Sequence, residues 1–94
     1  MKADLHNHSY YSDGVRSPSD LVELAFRAGC DLFALTDHDT TDGIAEARLE
    51  ADKVGLNLIN GVEISAFWKN MAIHIVGLGI DINNDMLQTG LEHN

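Results

Sequence analysis

The chain has 94 residues, with fifteen acidic and six basic side chains and a formal charge of −9. Such a surface repels nucleic-acid backbone and anionic membranes unless a cation is bound first, so the charge asks for a cation or a carrier. The length fits one small domain, and 45% apolar residues suit a folded core and exclude an acidic disordered tail. A single cysteine, Cys30, excludes an intrachain disulfide. The cytoplasm is then the default compartment, since no signal-peptide-like apolar stretch opens the chain and no run approaches the ~18 residues that cross a membrane.

Ala3 to Leu5 reads as a first strand. Ser17-Pro18-Ser19-Asp20 combines a capping serine, a proline at the first helical position and an acid three residues after the cap, which starts a helix. Its apolar face is Leu21, Val22, Leu24, Ala25, Phe26 and Ala28, and Gly29 closes it. Leu32 to Leu35 is a strand. A second helix is capped by either Thr41 or Asp42, carries Ile44, Ala47, Leu49, Ala51 and Val54, and stops at Gly55. Leu56 to Ile59 is a third strand. Val62 to Phe67 and Met71 to Leu78 then form a hairpin around Trp68-Lys69-Asn70, and Asn83 to Glu92 is a partial helix. Strands alternating with helices indicate parallel β/α units, and about three such units fall far short of the ~250 residues of a closed β/α barrel. The fold class is therefore α/β, with residues 1–94 forming part of a larger fold.

Histidines and acids gather at the strand ends. His6 and His8 are two apart, so in extended backbone both rings project from one face. Taken alone, the pair reads more readily as ordinary surface or core histidines. Ser12-Asp13-Gly14 forms a turn that can bring a carboxylate back toward them, although an aspartate there also serves a turn by itself. Thr36-Asp37-His38-Asp39 follows the second strand directly, where parallel folds build their sites. The alternative is a capped loop whose acids serve the next helix, which leaves His38 unexplained. Glu63 and His74 each interrupt an apolar strand. A hairpin centred between Trp68 and Lys69 would set them face to face, as metal ligands or as a buried hydrogen-bonded pair.

His6, His8, Asp13, His38, Glu63 and His74 form a mixed imidazole and carboxylate set that suits Zn²⁺, Mn²⁺ or Fe²⁺. One four-coordinate ion cannot use all six, whereas two or more ions with a bridging carboxylate can, an arrangement that activates water for phosphoryl displacement. No Cys-x-x-Cys pair, phosphate-cradling glycine loop or Gly-x-Ser-x-Gly elbow competes. Asp37 and Asp39 are candidates to orient the imidazoles from behind. Arg16 is a candidate phosphate contact, or a solvated loop arginine. Tyr10, Tyr11, Phe67 and Trp68 either cover a core or stack a base. Cys30, beside a buried strand, reads as a packed thiol.

The segments Asp4-Leu5-His6-Asn7-His8-Ser9, Tyr11-Ser12-Asp13-Gly14, Leu35-Thr36-Asp37-His38-Asp39, Gly61-Val62-Glu63-Ile64-Ser65 and His74-Ile75-Val76-Gly77-Leu78 resemble the PHP (polymerase and histidinol phosphatase) superfamily. They are similar above all to its stand-alone metal-dependent phosphoesterases. The resemblance implies the N-terminal portion of a distorted seven-stranded β/α barrel with two or three divalent ions at the strand ends. It implies hydrolysis of phosphate esters of nucleotides or short oligonucleotide 5′ ends by a metal-activated hydroxide. His6 and His8 would hold one ion with Glu63, Asp13 and His38 a second, and Glu63 would bridge to a third at His74. A histidinol-phosphatase-like enzyme and a non-catalytic metal-binding module are the alternatives. Relatives of this type carry another histidine and a closing Asp-x-His pair in later segments. His93 matches neither, so the resemblance implies an N-terminal fragment, or a partner chain that completes the site.

Overall fold

The computed structural model describes residues 1–92, the side chain of Trp68 excepted, and His93 lies outside them. Seven elements follow one another: β1 (Ala3–Asp4), α1 (Pro18–Arg27), β2 (Leu32–Leu35), α2 (Ile44–Val54), β3 (Asn57–Trp68), β4 (Met71–Leu78) and α3 (Asp85–Glu92). The strands form one sheet in the order β1-β2-β3-β4. The β1–β2 and β2–β3 pairs are parallel and β3–β4 is antiparallel. Because the order never reverses, both crossovers turn the same way and set α1 and α2 on the same face of the sheet, in contact with each other. This is the start of a barrel and not of a doubly wound sheet.

The core lies between the sheet and these helices. Val22 and Ala25 of α1, Phe33 and Leu35 of β2, Ala47 and Ala51 of α2, and Leu56 form one buried cluster, with Cys30 packed against it as expected. Alanines on α2 let it approach closely, and full burial of Phe33 contributes about 1.5–3 kcal/mol. Among the described residues no helix is long and apolar enough to cross a membrane.

The start of α1 follows its sequence. Ser17 Oγ accepts from the Asp20 amide at 3.1 Å, Pro18 occupies the first turn, and Gly29 takes the left-handed φ of 82° just past the helix. The cap of α2 differs from both expected residues: Gly43 occupies it with no side-chain hydrogen bond. Thr41 is engaged elsewhere, its hydroxyl accepting from Gln88 Nε2 at 3.0 Å, and the Asp42 amide donates to Thr40 Oγ1 at 3.1 Å. A Cβ at Gly43 would meet Leu35, Pro18 and Tyr11 side-chain atoms at 3.0–3.1 Å, so glycine permits the close approach of α2 to α1 and β2.

Two further corrections concern the second half. The runs expected as separate strands are one continuous strand, β3, whose first part pairs with β2 and whose second part pairs with β4. The turn contains two residues, Lys69 and Asn70, with φ of 49° and 65°, and Trp68 pairs with Met71. Two consecutive positive φ values match the right-handed twist of a hairpin better than a three-residue loop centred one residue earlier. The register is therefore displaced by two: His74 opposes Ser65, and Glu63 opposes Val76. A two-residue displacement keeps each side chain on its face, so Glu63 and His74 remain diagonal neighbours.

Candidate metal centre

β1 is only two residues long, yet the chain stays beside β2 as far as the histidines. The Asn7 amide donates to Thr36 Oγ1 at 3.0 Å, the Thr36 amide donates to the Asn7 carbonyl at 2.8 Å, and Asn7 Nδ2 donates to the Ala34 carbonyl at 3.1 Å. Sequence reasoning missed Asn7 and Thr36 as the fastening of His6 and His8. The signal was a polar pair at matching places after two neighbouring strands.

Beyond β2, the Glu63 amide donates to the Asp37 carbonyl at 3.0 Å and the Asp39 amide to the Glu63 carbonyl at 2.9 Å, so His38 lies alongside Glu63. Gly61 makes the approach possible: a Cβ there would stand 2.8 Å from Thr36 Cγ2 and 3.0 Å from the Leu35 carbonyl oxygen.

Glu63 is the hub. Its side chain is 4% exposed, and four imidazoles converge on its carboxylate. His6 Nε2 contacts Oε1, His8 Nε2 lies 3.0 Å from Oε1, and His38 Nδ1 and His74 Nδ1 lie 3.3 and 2.9 Å from Oε2. Asp13 forms the opposite wall, with Oδ1 2.7 Å from His8 Nδ1 and Oδ2 3.2 Å from His38 Nε2. The ring centroids of His6 and His8, His8 and His38, and His38 and His74 are 5.1, 4.4 and 5.1 Å apart, all edge to face. All six residues read from the sequence as candidate ligands thus stand together. Burial pushes the Glu63 carboxyl up, but hydrogen bonds from His6 and His8 and the positive fields of His38 and His8 outweigh it and leave it below the usual carboxylate range. Asp13 is balanced likewise: desolvation pushes it up, and His8 and His38 bring it below its ordinary value.

Three overlapping groups can hold a divalent ion: His6, His8 and Glu63; His8, Asp13 and His38; and His38, Glu63 and His74. The fit can be tested by geometry. With metal–ligand bonds of about 2.0–2.2 Å, adjacent donors around one ion stand about 2.8–3.1 Å apart in an octahedral arrangement and about 3.3–3.6 Å apart in a tetrahedral one. The contacts of 3.0, 3.2, 3.3 and 2.9 Å around Glu63 and Asp13 are close to that spacing, so the donors need little movement to accept an ion.

The other candidates stand nearby. Asp37 is buried and accepts from Ser9 Oγ at 2.7 Å and Ser12 Oγ at 2.8 Å, contacts to the loop instead of the expected imidazole. Asp39 Oδ1 accepts from the Ser65 amide at 2.8 Å. Arg16 is exposed, and its carbonyl accepts from the Tyr10 amide at 2.9 Å. The exposed Tyr10 and Tyr11 rings pack edge to face at 5.3 Å, and Phe67 is exposed at the end of β3. Ser9 and Ser12 are the polar residues that sequence reasoning passed over.

Residues 4–87 match the sequence pattern of the PHP domain. A 5′-3′ exoribonuclease of Haemophilus influenzae is 55% identical over 80 residues, which cover 85% of this chain and 29% of that protein. A 3′,5′-nucleoside bisphosphate phosphatase of Chromobacterium violaceum is 46% identical over 89 residues, 95% of this chain and 31% of its own. A solved structure from Bifidobacterium adolescentis, assigned as a metal-dependent phosphoesterase, superposes with a TM-score of 0.93 at 33% identity, over 99% of this chain and 32% of that one. The chain thus spans about three tenths of the curated relatives it matches. Its four-stranded sheet corresponds to the N-terminal part of their barrel.

Proposed function

Since this chain belongs to the PHP domain family, we propose that it supplies the metal-holding wall of a phosphoesterase acting on phosphate esters of nucleotides or short oligonucleotide 5′ ends. The observation that carries this reading is the single buried carboxylate of Glu63 shared by four imidazoles. A buried carboxylate so surrounded suits a bridge between cations better than a lone ion pair. An imidazole offers one ring nitrogen to an ion at a time, so the overlapping groups resolve into His6 and His8 with Glu63 Oε1, Asp13 with His38, and His74 with Glu63 Oε2. That division accommodates two or three ions of the Mn²⁺, Zn²⁺ or Fe²⁺ type.

Bound there, divalent ions would neutralise phosphoryl charge and bring the pKa of a coordinated water toward neutrality. The protein's part is to hold four imidazoles and two carboxylates in place before the ions arrive. Glu63, buried and below the usual carboxylate range, stays ionised at neutral pH. Arg16, exposed beside the Asp13 turn, is the proposed contact to a substrate phosphate. Substrate enters over the exposed side, where His6, Asp13 and His74 face solvent. The remaining wall of the pocket would come from the other two thirds of a protein of the relatives' length.

Equilibrium dialysis of this chain against Mn²⁺ at neutral pH tests the metal reading. At least one equivalent is expected, and less than one overturns it. Phosphate release from a 3′,5′-bisphosphonucleotide and from p-nitrophenyl phosphate tests the chemistry, using a chimera of residues 1–94 with the remaining segments of the Chromobacterium phosphatase. A manganese-loaded chimera with no turnover, or with turnover unchanged by His38→Ala, overturns the assignment.

A further inference from the structure

We propose that the two aspartates flanking His38 are positioning residues for opposite walls of the site: Asp37 sets the turn that carries Asp13, and Asp39 sets the strand that carries Glu63. The inference rests on the metal-binding reading above and assigns each wall its own support.

Asp13 needs such a support because most of its side chain faces solvent. Its side chain is 63% exposed, so its place over His8 and His38 is fixed by its backbone. That backbone is a tight turn around one carbonyl: Ser9 O accepts from the Ser12 amide at 3.1 Å and from the Gly14 amide at 2.9 Å. Asp37 holds the turn from below. Its carboxylate is 1% exposed and takes the Ser9 amide and the Ser12 hydroxyl on Oδ1 and the Ser9 hydroxyl on Oδ2. Three donors from one turn meet one carboxylate, so the turn is held at three points by a single side chain. The linkage runs from Asp37 through Ser9 and Ser12 to Asp13, and the Asp37 hydrogen bonds that begin it go to serines and not to an imidazole.

Asp39 acts on the other wall. It sits at φ 55°, a left-handed conformation that aspartate and asparagine tolerate. From there its amide donates to the Glu63 carbonyl and its Oδ1 accepts from the Ser65 amide, two residues along β3. Asp39 thus fixes β3 at Glu63 and just beyond it, on the edge opposite β4. The hub carboxylate has little freedom to turn away from its four imidazoles.

Asp37→Asn, Ser12→Ala, Asp39→Ala and Asp39→Asn are compared in this chain by histidine ring ¹⁵N shifts without metal and by Mn²⁺ binding followed by electron paramagnetic resonance. Without metal, Asp37→Asn and Ser12→Ala should move the His8 and His38 resonances and leave those of His6 and His74 in place. Asp39→Ala should move all four, His6 and His74 included, because all four rings meet Glu63. Asp39→Asn, which keeps both the acceptor and the left-handed backbone, should resemble the wild type. With Mn²⁺, Ser12→Ala should weaken the ion at Asp13 and His38 about ten- to hundredfold and spare those at Glu63, as supports of metal ligands usually do. Ser12 is only partly buried and supplies one of three donors, so this variant keeps the test open if Asp37→Asn fails to fold. Resonances unmoved by Ser12→Ala, or identical patterns from the Asp37 and Asp39 variants, overturn the proposal. A wild-type chain that binds no Mn²⁺ overturns the metal reading instead, and the metal-free shifts still decide the positioning roles.

Discussion

Gly14→Ala is the sharpest perturbation of the turn that presents Asp13. An added Cβ would stand 2.2 Å from the His8 carbonyl oxygen, 2.7 Å from its carbon and 2.9 Å from the Ser9 oxygen, all backbone atoms with no rotamer to yield. Carbon–oxygen contacts settle near ~3.3 Å, so the turn must withdraw by about 1 Å. Withdrawal breaks the 2.9 Å bond from the Gly14 amide to Ser9 O and lengthens the 2.7 Å contact of Asp13 with His8 beyond hydrogen-bond range. Steric strain of about 1–3 kcal/mol and one lost hydrogen bond of ~1 kcal/mol oppose a gain of ~0.4–1 kcal/mol from the stiffer unfolded chain. The net loss is about 1–3 kcal/mol, or at least ~4 °C in melting temperature for a domain of this size. Circular dichroism melts of wild type, Gly14→Ala and Gly43→Ala check it. The last is the milder control, because its Cβ meets only side-chain ends at 3.0–3.1 Å. Wild-type melting and Mn²⁺ affinity in Gly14→Ala would refute the reasoning, since they would mean that Asp13 does not depend on the turn's closeness to His8.

Glu63→Gln removes the carboxylate common to two of the three candidate groups, so Mn²⁺ affinity should fall at least about tenfold by equilibrium dialysis, while circular dichroism retains the fold. Imidazoles bind metal only when neutral, so bound metal should be released as the pH falls, with proton uptake measurable by calorimetry. In the metal-free chain, the lowered pKa values of Glu63 and Asp13 contribute stability present above the ordinary carboxylate range and lost as the pH falls through the depressed values. Acid melts should therefore be steepest below about pH 4, and less steep in Glu63→Gln. Phe33→Ala, at a fully buried core position, should cost about 3–5 kcal/mol, roughly a fifth or more of the ~5–15 kcal/mol that a domain holds, and lower the melting temperature accordingly.

The six candidate ligands were legible because their positions follow from local rules. The strand ends, the Ser17 cap and the parallel order each depend on a few neighbouring residues. What escaped reading depends on pairs far apart in sequence. Thr41 looks like a cap, but its hydroxyl is claimed by Gln88, 47 residues later. Asp37 looks like a partner for an imidazole next door, yet its donors, Ser9 and Ser12, arrive from a turn more than twenty residues earlier. The hairpin register turned on whether Trp68 joins the strand or the loop, which positive φ at Lys69 and Asn70 decides. The displacement spared the site reading because side chains alternate with a period of two; an odd displacement would have sent His74 to the far face.

The formal charge of −9 gains a location from the site. Asp13 and Glu63 stand among four imidazoles, and with those rings neutral, as metal binding requires, the two carboxylates make this edge anionic and would repel a phosphate. Two or three divalent ions would bring about four to six positive charges to the same few ångströms and reverse the sign there, while the rest of the surface stays acidic. A small phosphorylated ligand can then reach a positive point without meeting other charge at close range. On the same reading an extended duplex would be disfavoured, because its flanking phosphates would lie along the acidic surface of this chain. On the proposed reading, the same imbalance that argues against a nucleic-acid track would favour nucleotides and chain ends as ligands, and would make that preference depend on metal occupancy.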